Sequence, residues 1–322
     1  LMGLACKGKS IFPLMGELDP TVVRRCGAAA GLPVDRPPVQ AVEVPKPALP
    51  ARPPVLCPGC SHRGIFQLLA KKKVAVSGDI GCYTLAFLPP LSALHFCGCM
   101  GASIAVAHGA ARSGLQERMV AVIGDSTFYH TGLPALANVA YNRANVLVVI
   151  LDNRTTGMTG HQANPGTGVT LQNQPTEMIE LEPLVRALGI KHVATVHSYD
   201  VAEVEKAFKE LMATNEPAVM VARQACALLP EMRRQYVPLE VIEEKCTGCG
   251  VCFRIGCPAI LKSDVVDAKS GKPLAIIDHD LCTGCEICSQ LCPHDAITNR
   301  DQMRLREEAA AAECSLPTPG RG

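Results

Sequence analysis

Two stretches near the C-terminal end constrain this chain more than anything else in it. Residues 246–258 read "CTGCGVCFRIGCP", and residues 282–293 read "CTGCEICSQLCP". In each, three cysteines stand at two-residue gaps and a fourth precedes a proline, with 23 residues between the runs. The whole chain has 17 cysteines in 322 residues. In a short exported domain such density would mean disulfides. Here the chain is long, the opening "LMGLACKGKS" lacks the apolar core of a signal peptide, and eight cysteines fall in the paired runs. Metal ligation is the better account.

The remaining composition removes several classes. The net charge is +1, so no basic field points to nucleic acid or a membrane surface. Apolar residues make up 48%, enough for a full core, although Trp is absent and 4% of the chain is aromatic. No apolar run reaches the roughly 18 residues that span a bilayer, and the expected location is cytoplasmic. The chain starts at Leu1 rather than Met, and the expectation is a piece of something longer.

Composition shifts divide the chain into four parts. Residues 1–50 read as an N-terminal remnant and a proline-rich linker, "RPPVQAVEVPKPALPARPPV", that packs no core. Residues 51–235 alternate apolar strand patterns with helical ones. Residues 236–300 hold the cysteine runs, and 301–322 read as a short charged helix with a frayed tail.

In the second part, "MVAVIGD" reads as a strand, "LPALANVAYNR" as a helix and "NVLVVILDN" as a buried strand. This is a right-handed βαβ unit with parallel strands. The unit repeats: residues 177–188 read as a helix stopped by Gly189, "KHVATVH" as a strand, 201–215 as a helix and "PAVMVAR" as a strand. The expected fold is a doubly wound α/β parallel sheet, which binds ligands at the carboxyl ends of its strands. Asp125 and Asn153 close two such strands, 28 residues apart. A carboxylate, an amide oxygen and a backbone carbonyl are hard donors that suit Mg²⁺ and its phosphate ligands. Two turn-capping side chains are the plainer reading.

"GDS" with Asn153 following 26 residues later resembles the thiamine-diphosphate signature, with Ser126 in place of its last glycine. "CPGCSHRGIF", "GDIGCYTL", "CMGASIAVAHG", "GDSTFYHTGLPAL" and "GMTGHQANPGTG" together resemble the large (alpha) subunit of indolepyruvate:ferredoxin oxidoreductase. The resemblance implies a thiamine-diphosphate-binding domain followed by a small α+β bacterial-ferredoxin-like domain. It implies that Asp125, Asn153 and the Thr155 carbonyl hold Mg²⁺, with Gly81, Gly124, Ser126 and Thr127 facing the cofactor. It also implies a pyrimidine-binding domain that is not in these residues.

In two-cluster ferredoxins each run gives three ligands to one [4Fe–4S] cluster and its last cysteine to the other. One cluster then takes Cys246, Cys249, Cys252 and Cys292; the other takes Cys282, Cys285, Cys288 and Cys257. The first run has four residues before its last cysteine instead of three, which adds slack at Cys257. Paired zinc sites are the alternative, disfavoured by the third cysteine and the Cys-Pro ending. A third cluster is expected on Cys57, Cys60, Cys82 and Cys226, with Cys97 and Cys99 competing for the last place and buried apolar thiols as the alternative.

The resemblance implies oxidative decarboxylation of an arylpyruvate with coenzyme A, electrons passing through two or three clusters to ferredoxin. The implied partners are a small beta subunit and a chain carrying the pyrimidine-binding domain. His62 and His161 lie inside the motifs and are candidate catalytic groups. Met158 stands where pyruvate-using relatives carry Asn, so a flexible thioether would favour an aromatic side chain. The other histidines read as packing or surface residues. The alternative function is an iron–sulfur electron-transfer subunit or truncated remnant without independent catalysis.

Overall fold

The computed structural model describes residues 8–34, 53–233 and 237–299. They divide between two compact units, before and after the Pro53–Pro54 junction. Most of the proline-rich linker and the 301–322 tail lie outside the described residues.

The first unit holds helix α1 (Pro20–Ala29), in a stretch expected to be remnant and linker. The Asp19 carboxylate accepts from the amides of Thr21 (2.7 Å) and Val22 (2.8 Å), and Pro20 occupies the first turn. An Asp-Pro pair is an N-cap followed by a residue whose missing N–H costs nothing there. That signal was present in "GELDPTVV".

The second unit begins with α2 (Arg63–Lys72) and β1 (Val76–Gly78), then β2 (Phe96–Cys97), α3 (Ala102–Arg112) and β3 (Val120–Gly124). From Asp125 a helix runs to Tyr141 as α4 (Asp125–Thr127), a π-type widening at Phe128–Gly132, and α5 (Leu133–Tyr141). Next come β4 (Leu147–Asp152), α6 (Leu181–Ala187), β5 (His192–His197), α7 (Val201–Met212) and β6 (Ala218–Arg223). The six strands form one parallel sheet in the order β2-β1-β3-β4-β6-β5.

Burial on both faces explains why β3, β4 and β6 are almost wholly apolar. Alternate side chains serve opposite cores. Val122, Leu147, Val149 and Leu151 pack with Ile65, Phe66 and Phe208 from α2 and α7. Ala121, Ile123, Val148 and Ile150 pack with Ile104, Leu136 and Val185 from α3, α5 and α6. The helix expected over 177–188 starts only at Leu181. Pro183 is the reason: its ring would collide with the carbonyl four residues earlier, so no helix can include residue 179. The helix expected over 201–215 ends at Met212.

The cysteine-rich segment follows α8 (Pro230–Arg233). It builds two antiparallel pairs, β7 (Leu239–Val241) with β10 (Ile297–Asn299) and β8 (Ile260–Val266) with β9 (Pro273–Ile277), plus the short helix α9 (Ile287–Gln290). Leu239, Ile255, Ile260, Ile277, Ile287 and Ile297 make its core, with the cysteines packed around them. This segment docks on the sheet part. Gln290 accepts from the Val201 amide (2.9 Å) and donates to the Tyr199 carbonyl (2.8 Å). Among the described residues no helix is long and apolar enough to cross a membrane.

Ile150 lies in the centre of the sheet with 0% exposure. Ile150→Ala is expected to lower the unfolding free energy by about 2–5 kcal/mol, read as a reduced denaturation midpoint at constant cofactor concentration.

Candidate functional site

At the carboxyl ends of β1, β3 and β4 the chain forms a half-open cavity of about 90 Å³. Gly81, Gly124, Asp125, Ser126, Thr127, Asn153 and Thr155 all line it, as do His62, Met158 and Cys82. The parallel pairing of β3 with β4 sets Gly124 opposite Leu151, so Asp125 and Asn153 leave neighbouring strands together. The Asn153 amide nitrogen points inward and donates to the Thr155 carbonyl (2.7 Å) and to Asp125 Oδ1 (3.2 Å), so the Asp125 carboxylate, the Asn153 amide and the Thr155 carbonyl stand together.

The Asp125 carboxyl is 3% exposed. Burial first, and then the Asp152 carboxylate, push its pKa up to about 7, while donations from the Ser126 amide and Asn164 hold it down. A buried anion short of positive charge is the electrostatic environment a divalent ion completes. The helix begins at the cavity wall, with Gly124, Ser126 and Thr127 lining it, and a helix N-terminus is the usual device for phosphate. The donor set and the cavity therefore fit Mg²⁺ and a diphosphate group.

A charge network that the sequence did not announce holds the Asn153 loop. Arg223 Nε lies 2.7 Å from Asp152 Oδ2, and Arg223 Nη2 lies 2.9 Å from Glu180. Arg154, between the two loop donors, reaches Asp152 (3.4 Å) and Glu180 (3.6 Å). Its φ of 58° is a left-handed conformation that a non-glycine residue holds only when its surroundings impose it. Thr156 donates to Ser126 Oγ (2.8 Å), tying the loop to the helix start.

A second unforeseen element is Asp79, which follows β1 in the quoted "GDIGCYTL". Its buried carboxylate accepts from the Tyr83 hydroxyl, the Gly101 amide (2.9 Å) and Ser103 Oγ (3.0 Å). Burial raises its pKa. This anchors Tyr83 against the cavity floor. A Cβ at Gly81 would come 2.3 Å from the Tyr83 ring, so that position needs glycine for close approach alone. His62 stands edge-on to Tyr83 at 6.3 Å. Burial lowers its pKa to about 4, which keeps the imidazole neutral near pH 7. Met158 sits at the mouth, half-exposed. His161 lies instead against Cys226, with Nε2 3.6 Å from its sulfur.

The cysteines gather in three groups. Cys246, Cys249, Cys252 and Cys292 line one small cavity of about 20 Å³, so the last cysteine of the second run does cross to the first. Burial, then the neighbouring thiols Cys246 and Cys249, push Cys252 up to about 11. Cys285 is pushed up to about 11 by burial, with Cys257 and Cys282 adding to it. The same three sulfurs surround Cys288. Beside the sheet, burial pushes Cys60 up to about 12, with Cys57 and Cys82 as neighbours. Cys82 in turn feels Cys226 and Cys57. Cys97 and Cys99 are exposed, as is Cys57. Crowded thiols resist becoming thiolates unless a metal centre supplies positive charge. Among the described residues no three Cys, His, Asp or Glu side chains converge on a single ion.

The comparisons agree with this geometry. Residues 79–222 match the C-terminal TPP-binding domain of thiamine pyrophosphate enzymes, and residues 275–298 match a 4Fe-4S binding domain. The indolepyruvate oxidoreductase subunit IorA of Pyrococcus abyssi is 44% identical over 270 residues, covering 77% of this chain and 41% of that protein. The IorA of Methanothermobacter marburgensis is 37% identical over 306 residues, covering 92% of this chain and 47% of that protein. The chain thus spans less than half the length of the curated relatives it matches. A 2-oxoglutarate:ferredoxin oxidoreductase from Magnetococcus marinus shares the fold, with a TM-score of 0.50 at 17% identity, covering 83% of this chain and 94% of that one. By these matches the chain is a relative of the IorA subunits of indolepyruvate oxidoreductase, with a thiamine-diphosphate-binding part joined to a ferredoxin-like one.

Proposed function

We propose that this chain supplies the diphosphate-binding half of the active site and the electron path of a 2-oxoacid:ferredoxin oxidoreductase. The observation that carries the reading is the double membership of Cys82. It lines the cofactor cavity and also belongs to the group of Cys57, Cys60 and Cys226. A non-redox decarboxylase has no use for a cysteine group at that place. The proposed overall reaction converts an arylpyruvate, coenzyme A and two oxidised ferredoxins into arylacetyl-CoA, CO₂, two reduced ferredoxins and a proton.

Asp125, Asn153 and the Thr155 carbonyl are the proposed Mg²⁺ ligands. The amides of Gly124, Ser126 and Thr127 cradle the diphosphate, and Gly81 lets the cofactor pass close to Tyr83. Thiamine diphosphate supplies the carbanion chemistry that decarboxylates a 2-oxoacid, and [4Fe–4S] clusters accept electrons singly. Neutral His62 can take a proton inside the cavity, and His161 is placed to do so beside Cys226. Met158 at the mouth contacts the substrate side chain. Among the described residues lining the cavity, Asp125 is the sole carboxylate. The carboxylate that activates the aminopyrimidine therefore comes from a pyrimidine-binding domain. That domain, a small beta subunit and ferredoxin are the proposed partners.

Anaerobically prepared protein is expected to hold about 8–12 iron atoms with matching acid-labile sulfide, from two or three four-iron clusters. Zinc in their place overturns the cluster reading. Asp125→Ala removes the anionic Mg²⁺ ligand and is expected to weaken Mg²⁺-dependent thiamine diphosphate binding at least ~10-fold, since losing a ligand outright should cost more than losing a group that only orients one. Calorimetry showing wild-type affinity rejects the assignment. Complemented with the pyrimidine-binding domain, the enzyme is expected to prefer indolepyruvate or phenylpyruvate over pyruvate in a viologen assay. Met158→Asn should shift kcat/KM toward pyruvate by about 10-fold. An unchanged ratio removes Met158 from specificity.

A further inference from the structure

Arg63 opens α2 and is among the largest fully enclosed side chains, at 2% exposure. Among the described residues no carboxylate lies within ion-pair distance of it; its hydrogen bonds all go to carbonyl oxygens. Nε donates to the Cys57 carbonyl (3.2 Å). Nη2 donates to the same carbonyl (2.9 Å) and to that of Leu56. Nη1 crosses to the ferredoxin-like part, donating to Ile255 O (3.0 Å) and Gly256 O (2.7 Å). One guanidinium therefore grips the backbone beside Cys57 and the backbone just before Cys257. Dipoles alone are a poor substitute for a counter-ion at a buried cation.

The two cysteine segments also meet directly. Gly59, between Cys57 and Cys60, faces Thr283, between Cys282 and Cys285, and a Cβ there would come 1.9 Å from Thr283 Oγ1. Tyr199 donates to the Gly59 carbonyl (2.6 Å) from the same junction. A four-thiolate cluster is a net anion and gains a further negative charge on reduction, so a fixed cation nearby favours its reduced state.

We propose that Arg63 is the positioning residue and shared counter-charge of two adjoining clusters, one on Cys57, Cys60, Cys82 and Cys226 and the other on Cys257, Cys282, Cys285 and Cys288. It raises the reduction potential of both and leaves the cluster on Cys246, Cys249, Cys252 and Cys292 unaffected. This rests on the cluster reading given under Proposed function.

The test is a potentiometric titration of the full chain, prepared anaerobically with its clusters, followed by EPR. Cys249→Ser and Cys285→Ser assign the signals of the two ferredoxin-like clusters. Arg63→Gln removes the charge but can still donate to carbonyls; Arg63→Lys keeps the charge and loses the fork. Arg63→Gln is expected to lower the reduced-to-oxidised ratio of the two adjoining clusters at least tenfold at fixed potential, about 59 mV for a one-electron couple. Arg63→Lys should stay near wild type, and the third cluster should not move in either. If Arg63→Gln fails to assemble clusters, Arg63→Lys assembling them at wild-type potentials supports the charge role. Gln and Lys variants that behave alike, or a shift common to all three clusters, overturn it. Wild-type protein holding zinc in place of four-iron clusters overturns the cluster reading and the role of Arg63 with it; two clusters without the one on Cys57, Cys60, Cys82 and Cys226, or three with potentials indifferent to Arg63→Gln, overturn the role of Arg63 alone.

Discussion

The cofactor end of this protein depends on one strand register. β3 and β4 are paired so that the residues leaving each of them arrive side by side, and Asn153 bridges Asp125 and the Thr155 carbonyl as a result. A slip of one residue would turn each strand's side chains to the opposite face. Burial on both faces of the sheet does not by itself forbid that slip, because both faces are apolar. The charged and polar strand ends are what a slip would misplace. β6 adds to this by placing Arg223 directly opposite Asp152, so register and charge network specify the same alignment.

The cysteine-rich part is held by a different balance. Its apolar core is small, and several of the side chains around that core are thiols. A segment of this size gains limited stability from burial alone, so cross-links through its cysteines and docking on the sheet part share the load. The crossing of Cys292 to the first run means that neither half can order its cysteines without the other. Arg63, Tyr199 and Gln290 extend the dependence to the sheet.

The sheet was largely legible in the sequence because long apolar strands such as "NVLVVILDN" admit few other structures. That Asp125 and Asn153 come together was legible because their spacing spans one βαβ unit, and the grouping of the two cysteine runs because their intervals are short and repeated. What stayed hidden had no local pattern. Arg63 is one residue beyond a motif histidine, and its partners lie 192 and 193 residues away. Asp79 sat inside a quoted motif, but its three donors come from Tyr83, Gly101 and Ser103, which only the fold brings together. The charged residues Asp152, Arg154, Glu180 and Arg223 each read as an ordinary strand end or surface residue. The late start of α6 was readable from Pro183, and the α1 cap from Asp19-Pro20.

The Asn153 side chain is a planar group with an acceptor at one end and a donor at the other. With its nitrogen inward it donates to the Thr155 carbonyl and to Asp125 Oδ1, clasping the turn after β4 to the residue that closes β3. The two strand ends are thereby joined by the chain's own hydrogen bonds, with polar atoms standing clear of the apolar layers. Around Cys252 and Cys288 the thiols are themselves part of the apolar core, so there the side chains that carry the chemistry and those that carry the packing are the same.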